Sequence, residues 1–198
     1  MTPEQFTALI RAKQNELRDA IHRRLPVKIG RIATDHFQES FRLGGFVDNG
    51  LHPWPITRRQ QLGAGSGSAA AQYGPLLSAR KYLYGSIRYV PADAQVTIGT
   101  SVPYAAVHNQ GATITTHPRV TANMRRFAWA QFFKAGGGKG KETEGSAAAK
   151  WKALALTKKD RLTITSHIPQ RKFLGPSKEL SDKVQHTIES EIKNILTS

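Results

Sequence analysis

IPQRKFLGPS, residues 168–177, is the stretch on which the rest of the fold turns. Pro169 and Pro176 restrict the backbone on either side of Arg171, Phe173 and Leu174, because each ring locks its own φ and disfavours the α region before it. A helical pattern follows at once, with Leu180, Val184, Ile188, Ile192 and Ile195 forming one apolar stripe. The expected product is a rigid connection. It seats Phe173 and Leu174 in a core and launches the last helix at a fixed angle. Arg171 is expected to pair with a carboxylate or carbonyl of its own subunit.

Outward from this stretch, the chain of 198 residues reads as one domain, residues 1–198, long enough to bury a real core. Thr2-Pro3-Glu4-Gln5 is a capping box with proline at the first helical position. Phe6, Leu9, Ile10, Leu17 and Ile21 follow at helical spacing, and Pro26 is expected to end that helix. A second helix is expected over residues 27–43, with Gly44-Gly45 as its stop. From Asp48 to Tyr73 the pattern dissolves, with Trp54 between two prolines as the anchor of a crossing segment.

Residues 87–90 and 96–98 alternate with strand period around the turn Pro91–Ala94. A helical turn then ends at Gly111 and another strand follows. Residues 119–157 read as an insertion that carries a third amphipathic helix, with Met124, Phe127, Ala128 and Phe132 as its apolar positions and Trp129 as a further candidate. The small-residue stretches 63–71 and 135–149 are expected to be a mobile linker and a mobile loop. WKALAL (151–156) and RLTITSHI (161–168) are expected to resume the sheet. The fold class is α+β: an antiparallel sheet of about four strands, packed against N-terminal and C-terminal helices, with an inserted helix and flexible loops.

The net charge is +15 and unevenly spread. Between Asn49 and Lys141 Asp93 is the sole acid, against eleven Lys and Arg. Arg125, Arg126, Lys134, Lys139 and Lys141 are candidate contacts for DNA or for an acidic partner on the inserted helix and its loop. One of the adjacent Arg125 and Arg126 should border the core and pair locally, since neighbours on a helix lie about 100° apart. The plainer reading is a solvated basic surface that maintains solubility. The chain has no cysteine, hence no disulfide framework and no thiolate metal site. Its N-terminus has no apolar run of signal-peptide type, and nothing approaches a membrane span.

Catalytic constellations are missing from the sequence. His108, His117 and His167 match no zinc spacing. There is no Gly-x-Ser-x-Gly elbow, GGGKGK lacks Walker spacing, and paired carboxylates are absent from the middle of the chain. No catalytic, metal or cofactor-binding residue is assigned, and no enzyme activity is expected.

The order of segments points elsewhere. PLLSARKYLYGSI, then VTIGTSVPYAAVHNQGA, then HIPQRKFLGPS and a final helix together resemble the virion morphogenesis, or tail completion, family of Mu-like and P2-like tailed phages, often found in prophages. The matching motif positions are Tyr104, Ala105, His108 and Gly111, followed by Ile168, Pro169, Arg171, Phe173, Leu174 and Gly175. The insertion at 119–157, and SARKYLYG in place of an acidic residue and a glycine, depart from the family pattern. The resemblance implies a non-catalytic structural protein, made in the host cytoplasm and acting in the virion's tail or neck. It implies tail or head-neck proteins as partners and a homo-oligomeric ring, six copies being one option. It implies no cofactor and no membrane. Nonspecific contact with phage DNA is a further expectation from the charge, and a sequence-independent nucleic-acid-binding protein is the alternative function.

Overall fold

The computed structural model describes residues 2–63, 72–138 and 145–197. The chain divides into two compact units, residues 1–112 with 168–198, and residues 113–167. The segment read as an insertion lies inside the second unit.

In the first unit, α1 (Pro3–Asp19) begins on the expected capping box, with Gln5 N donating to Thr2 Oγ1 at 3.3 Å and Thr2 N to Gln5 Oε1 at 2.9 Å. Pro26 does not end the helical run as expected. A π-helical turn, Ala20–Arg24, widens the spiral, and α2 (Leu25–Leu43) continues from it with Pro26 in its first turn. There proline's missing N–H costs little. The carbonyl four residues before it, that of His22, accepts instead from Ala94 N at 3.3 Å. Helix α2 ends at Gly44, whose φ of 69° is the left-handed cap conformation.

Helix α2 buries Ala33, Phe37 and Phe41 in a core completed by Phe46, Trp54, Leu83, Ile87, Val102, Ala105 and Phe173. Phe41 stands at its centre. Its ring meets Trp54 and Phe173 at 5.3 Å each, and Tyr84 at 6.0 Å. Such edge-on and tilted pairs are favoured by the ring quadrupoles.

Two strands lie at the start of the region where the apolar pattern dissolves, one just before Asp48 and one within it. β1 (Gly45–Val47) and β2 (Leu51–Pro53) form a short antiparallel hairpin, followed by α3 (Arg58–Gly63). Their brevity, and the exposure of β2, leave too little alternation to read in advance. Trp54 anchors the segment as expected, 6% exposed. After α4 (Tyr82–Ser86), β3 (Arg88–Ala92) and β4 (Gln95–Gly99) pair as the anticipated hairpin, with Asp93 and Ala94 at its turn. Both strands pack on α2. Gly30 makes this possible, because a Cβ there would stand 2.3 Å from the Tyr89 ring. α5 (Ala105–Gln110) leads to Gly111 and β5 (Ala112–Thr116).

The last helix, α8 (Lys178–Thr197), carries the expected stripe and lies against α2 rather than on the strands. Its buried Glu191 receives Arg24 Nη1 at 3.1 Å and the ammonium of Lys28. Helix α1 has no buried residue, so it does not supply the expected cover for a sheet.

In the second unit, α6 (Ala122–Lys134) is capped by Thr121 and packs on α7 (Ala147–Ala155), capped by Ser146. Residues 151–155 of WKALAL are therefore helix, contrary to the expected strand. The alanine-rich run from Ala147 has high helix propensity, and a serine cap starts it. Phe127, expected in the core of α6, is 55% exposed, and its ring meets Trp151 edge-on at 5.7 Å. Ala128 and Phe132 are buried as expected. β5 pairs with β6 (Ile164–Ile168), with the side chains of Thr113 and His167, and of Thr115 and Thr165, 3.2 Å apart.

The expected single sheet of about four strands is replaced, among the described residues, by three two-stranded ladders. β1 and the β3–β4 ladder each pack on α2 separately, so the helix takes the place of pairing between the ladders. Of the stretches expected to be mobile, 64–71 and 139–144 lie outside the described residues. The described ends of the loop are regular. Gly137 N folds back to Phe132 O at 3.0 Å, and residues 147–149 belong to α7.

Candidate functional site

The two family-like motifs meet in the first unit, in one clasp. Helix α5 presents three consecutive groups to the stretch 168–177. The carbonyl of His108 accepts from Arg171 N at 2.8 Å. The Asn109 carboxamide oxygen accepts from Phe173 N at 2.8 Å and Leu174 N at 2.9 Å, while its Nδ2 donates to Leu174 O at 3.0 Å. Gln170 Nε2 reaches back to Asn109 O at 3.3 Å. Gly111 closes the approach with φ 75°, where a Cβ would lie 2.9 Å from Gln170 N. A side chain would thus be excluded by both sterics and backbone conformation.

Arg171 is 6% exposed, and its Nε and Nη2 both donate to Pro55 O, at 3.0 and 2.9 Å. This is the carbonyl pairing expected from the sequence. Burial pushes its pKa down. Trp54 Nε1 adds a second tie to the same stretch, donating to Lys172 O at 2.8 Å. Phe173 is fully buried and Leu174 packs beside it on the core, so the pair is seated as anticipated.

Of the other motif residues, Ala105 is buried, Pro169 and Gly175 are half-buried, and Tyr104 is 43% exposed with its ring edge-on to His108 at 5.9 Å. Burial, then the nearby Arg171 charge, lowers the His108 pKa and keeps the ring neutral. Its Nδ1 is buried with no hydrogen-bond partner. Asn109 was missed by sequence reading, although it occupies an unspecified position inside the Tyr-Ala-x-x-His-x-x-Gly motif. The available signal was a carboxamide one residue from a helix end, a place where such groups serve loose backbone donors.

The candidate basic contacts divide. Arg125 Nη1 donates to Ala155 O at 3.1 Å, so this arginine is the locally paired one. Arg126 and Lys134 are exposed on α6, about 80° apart around the helix by the 100° step. Lys139 and Lys141 lie outside the described residues. Among the described residues no group of three or more His, Cys, Asp or Glu could hold a metal. His117 and His167 each meet a threonine hydroxyl, Thr163 and Thr113, at 3.2 Å. No described helix is long and apolar enough to cross a membrane.

The hydrogen bonds of the clasp hold backbone in place, which makes it a structural junction of the fold. The chain belongs to the phage virion morphogenesis family, whose model matches residues 50–193 and so spans both halves of the clasp. That membership gives it a structural role in building the phage particle. No curated protein and no solved structure matches the chain.

Proposed function

We propose that this protein completes the phage tail or joins it to the head, without catalysis, as a homo-oligomeric ring that contacts tail or head-neck proteins. The observation that carries the reading is the clasp itself. Residues 168–177 are held by a hydrogen bond from Trp54 and by hydrogen bonds to the Pro55 and His108 carbonyls and the Asn109 side chain, which sets the course of the chain into α8. Rigid launching of a helix suits a part that must present one geometry to its neighbours in a particle. Family membership supports the same role.

The test is deletion of the gene in the phage or prophage that encodes it, read by electron microscopy of the lysate. Separate heads and tails, restored to joined particles by the wild-type chain in trans, are expected. Normal infectious particles from the deletion would overturn the proposal. Native mass spectrometry of the purified chain, alone and with tail proteins, reads the ring.

A DNA-binding role has one favouring observation, the exposure of Arg126 and Lys134 on a helix in an acid-free stretch. A duplex could meet these cations without base readout.

A further inference from the structure

Tyr82 stands 63% exposed between two depressions of the first unit. The first, of about 310 Å³, has Arg59 and Arg171 in its lining with Leu76, Leu77 and Tyr104. The second, of about 320 Å³, is ringed by the exposed cations Arg80, Lys81 and Arg88. No acidic residue lines either one. Five cations therefore converge on one aromatic ridge, and among the described residues none of the five makes an ion pair.

The guanidinium groups of the first depression are only partly used. Arg171 spends two of its five donors on Pro55 O. Arg59 braces the carbonyls of Tyr73, Gly74 and Leu77, and its Nε is buried with no partner. Two residues of this face, Leu76 (φ 62°) and Lys81 (φ 47°), hold left-handed backbone that side chains disfavour. Such strain gathers where a surface is shaped for a contact.

We propose that the two depressions flanking Tyr82 form one docking site for an acidic segment of a partner protein. A carboxylate on a flexible stem enters beside Arg59 and Arg171, and a neighbouring carboxylate meets Arg80, Lys81 and Arg88 across the tyrosine ring. Charge complementarity selects the occupant, since the face is wholly cationic with no counter-charge of its own. The recess favours a side chain over duplex DNA. Arg171 is 6% exposed, out of reach of phosphates carried on the outside of a stiff duplex. Leucine and tyrosine walls also suit an apolar residue beside the acid. The inference rests on the assembly role only for where the segment comes from.

The test is fluorescence-anisotropy binding of the full chain to a short acetylated peptide of alternating Glu and Leu, to its Gln counterpart, and to random duplex DNA. Saturable binding of the Glu peptide, at least about tenfold tighter than the Gln peptide, is expected for a charge-assisted contact. The double variant Lys81→Glu/Arg88→Glu, changed only at exposed positions, should weaken it about fivefold to thirtyfold. Arg59→Gln should weaken it as well, and Tyr82→Ala should remove the preference for Leu beside Glu. Equal binding of the Glu and Gln peptides, or indifference to Lys81→Glu/Arg88→Glu, overturns the proposal. So does duplex DNA binding that these variants abolish while the Glu peptide fails to bind, which would make the face a DNA contact. Peptide binding needs no virion, so its failure leaves the assembly role standing. Failure of the gene deletion to block assembly leaves the peptide result standing in turn.

Discussion

Asn109 grips Leu174 by both of its backbone polar groups, accepting from its N–H at 2.9 Å and donating to its carbonyl at 3.0 Å. The same carboxamide oxygen accepts from Phe173 N. Asn109→Ala leaves two backbone donors and one acceptor without protein partners in a half-buried turn. A drop of roughly 1–3 kcal/mol in stability is expected, read as a lower urea midpoint with the urea slope unchanged. Asn109→Asp keeps the acceptor but sets a carboxylate against the Leu174 carbonyl, and should recover only part of that stability.

Gly30 and Tyr89 form a coupled pair. Gly30→Ala drives a Cβ into the Tyr89 ring, which must move, so the single variant is expected to be destabilised. With Tyr89→Ala already in place the clash is gone, and Gly30→Ala should then stabilise α2 by up to about 1 kcal/mol through helix propensity. A double-mutant cycle on thermal or urea unfolding reads the change of sign. The same sign in both backgrounds would show that the ring does not depend on the glycine.

Two histidines tie stability to pH. Burial, then Lys183, lowers the pKa of His36, and burial, then Arg171, lowers that of His108. Both rings are therefore neutral in the fold at a pH where the unfolded chain protonates them. The unfolded state binds more protons, so stability falls as pH drops below the ordinary histidine value of 6.5 and through the lowered folded values. Urea midpoints measured across this window should decline, and His108→Gln should flatten the decline.

At Glu179 the shift is that of a carboxylate. Hydrogen bonds from the hairpin turn, with Gly50 N first, hold its pKa below the ordinary 4.5. The stability it contributes is complete above 4.5 and lost as pH falls through the lowered folded value. Glu179→Gln should remove this share of the acid sensitivity, visible as a shallower loss of folded signal in acid titration.

Charge reversal on α6 separates DNA from other partners. Arg126→Glu with Lys134→Glu changes exposed positions, so the subunit should stay folded by circular dichroism. If these cations meet phosphates, the salt dependence of DNA binding should fall by about one unit of slope for each phosphate no longer neutralised. Unchanged DNA affinity together with failed docking would assign them to an acidic protein instead. Unchanged particle assembly would leave them a solvated face.

Local chemistry determined a good deal in advance. The capping box at Thr2, the left-handed stop at Gly44, the alternation across residues 87–98 and the stripe of α8 are short-range signals, each confined to a few turns or one hairpin. The burial of Trp54 and Phe173 followed from ring size and from prolines on either side, and the order of motifs was sufficient to identify the family. Where local signals compete, the tertiary structure decided. Pro26 passes inside a helical run because a π-turn widens ahead of it and Ala94, from a distant hairpin, takes the stranded carbonyl of His22. Residues 151–155 are helix because Ser146 caps an alanine run, although the apolar residues alone read equally as strand. The clasp was least legible. Arg171 meets Pro55 across 116 residues, and Asn109 meets Phe173 across 64. Hydrogen bonds over such separations leave no periodicity in the chain, since only the packed core brings donor and acceptor together.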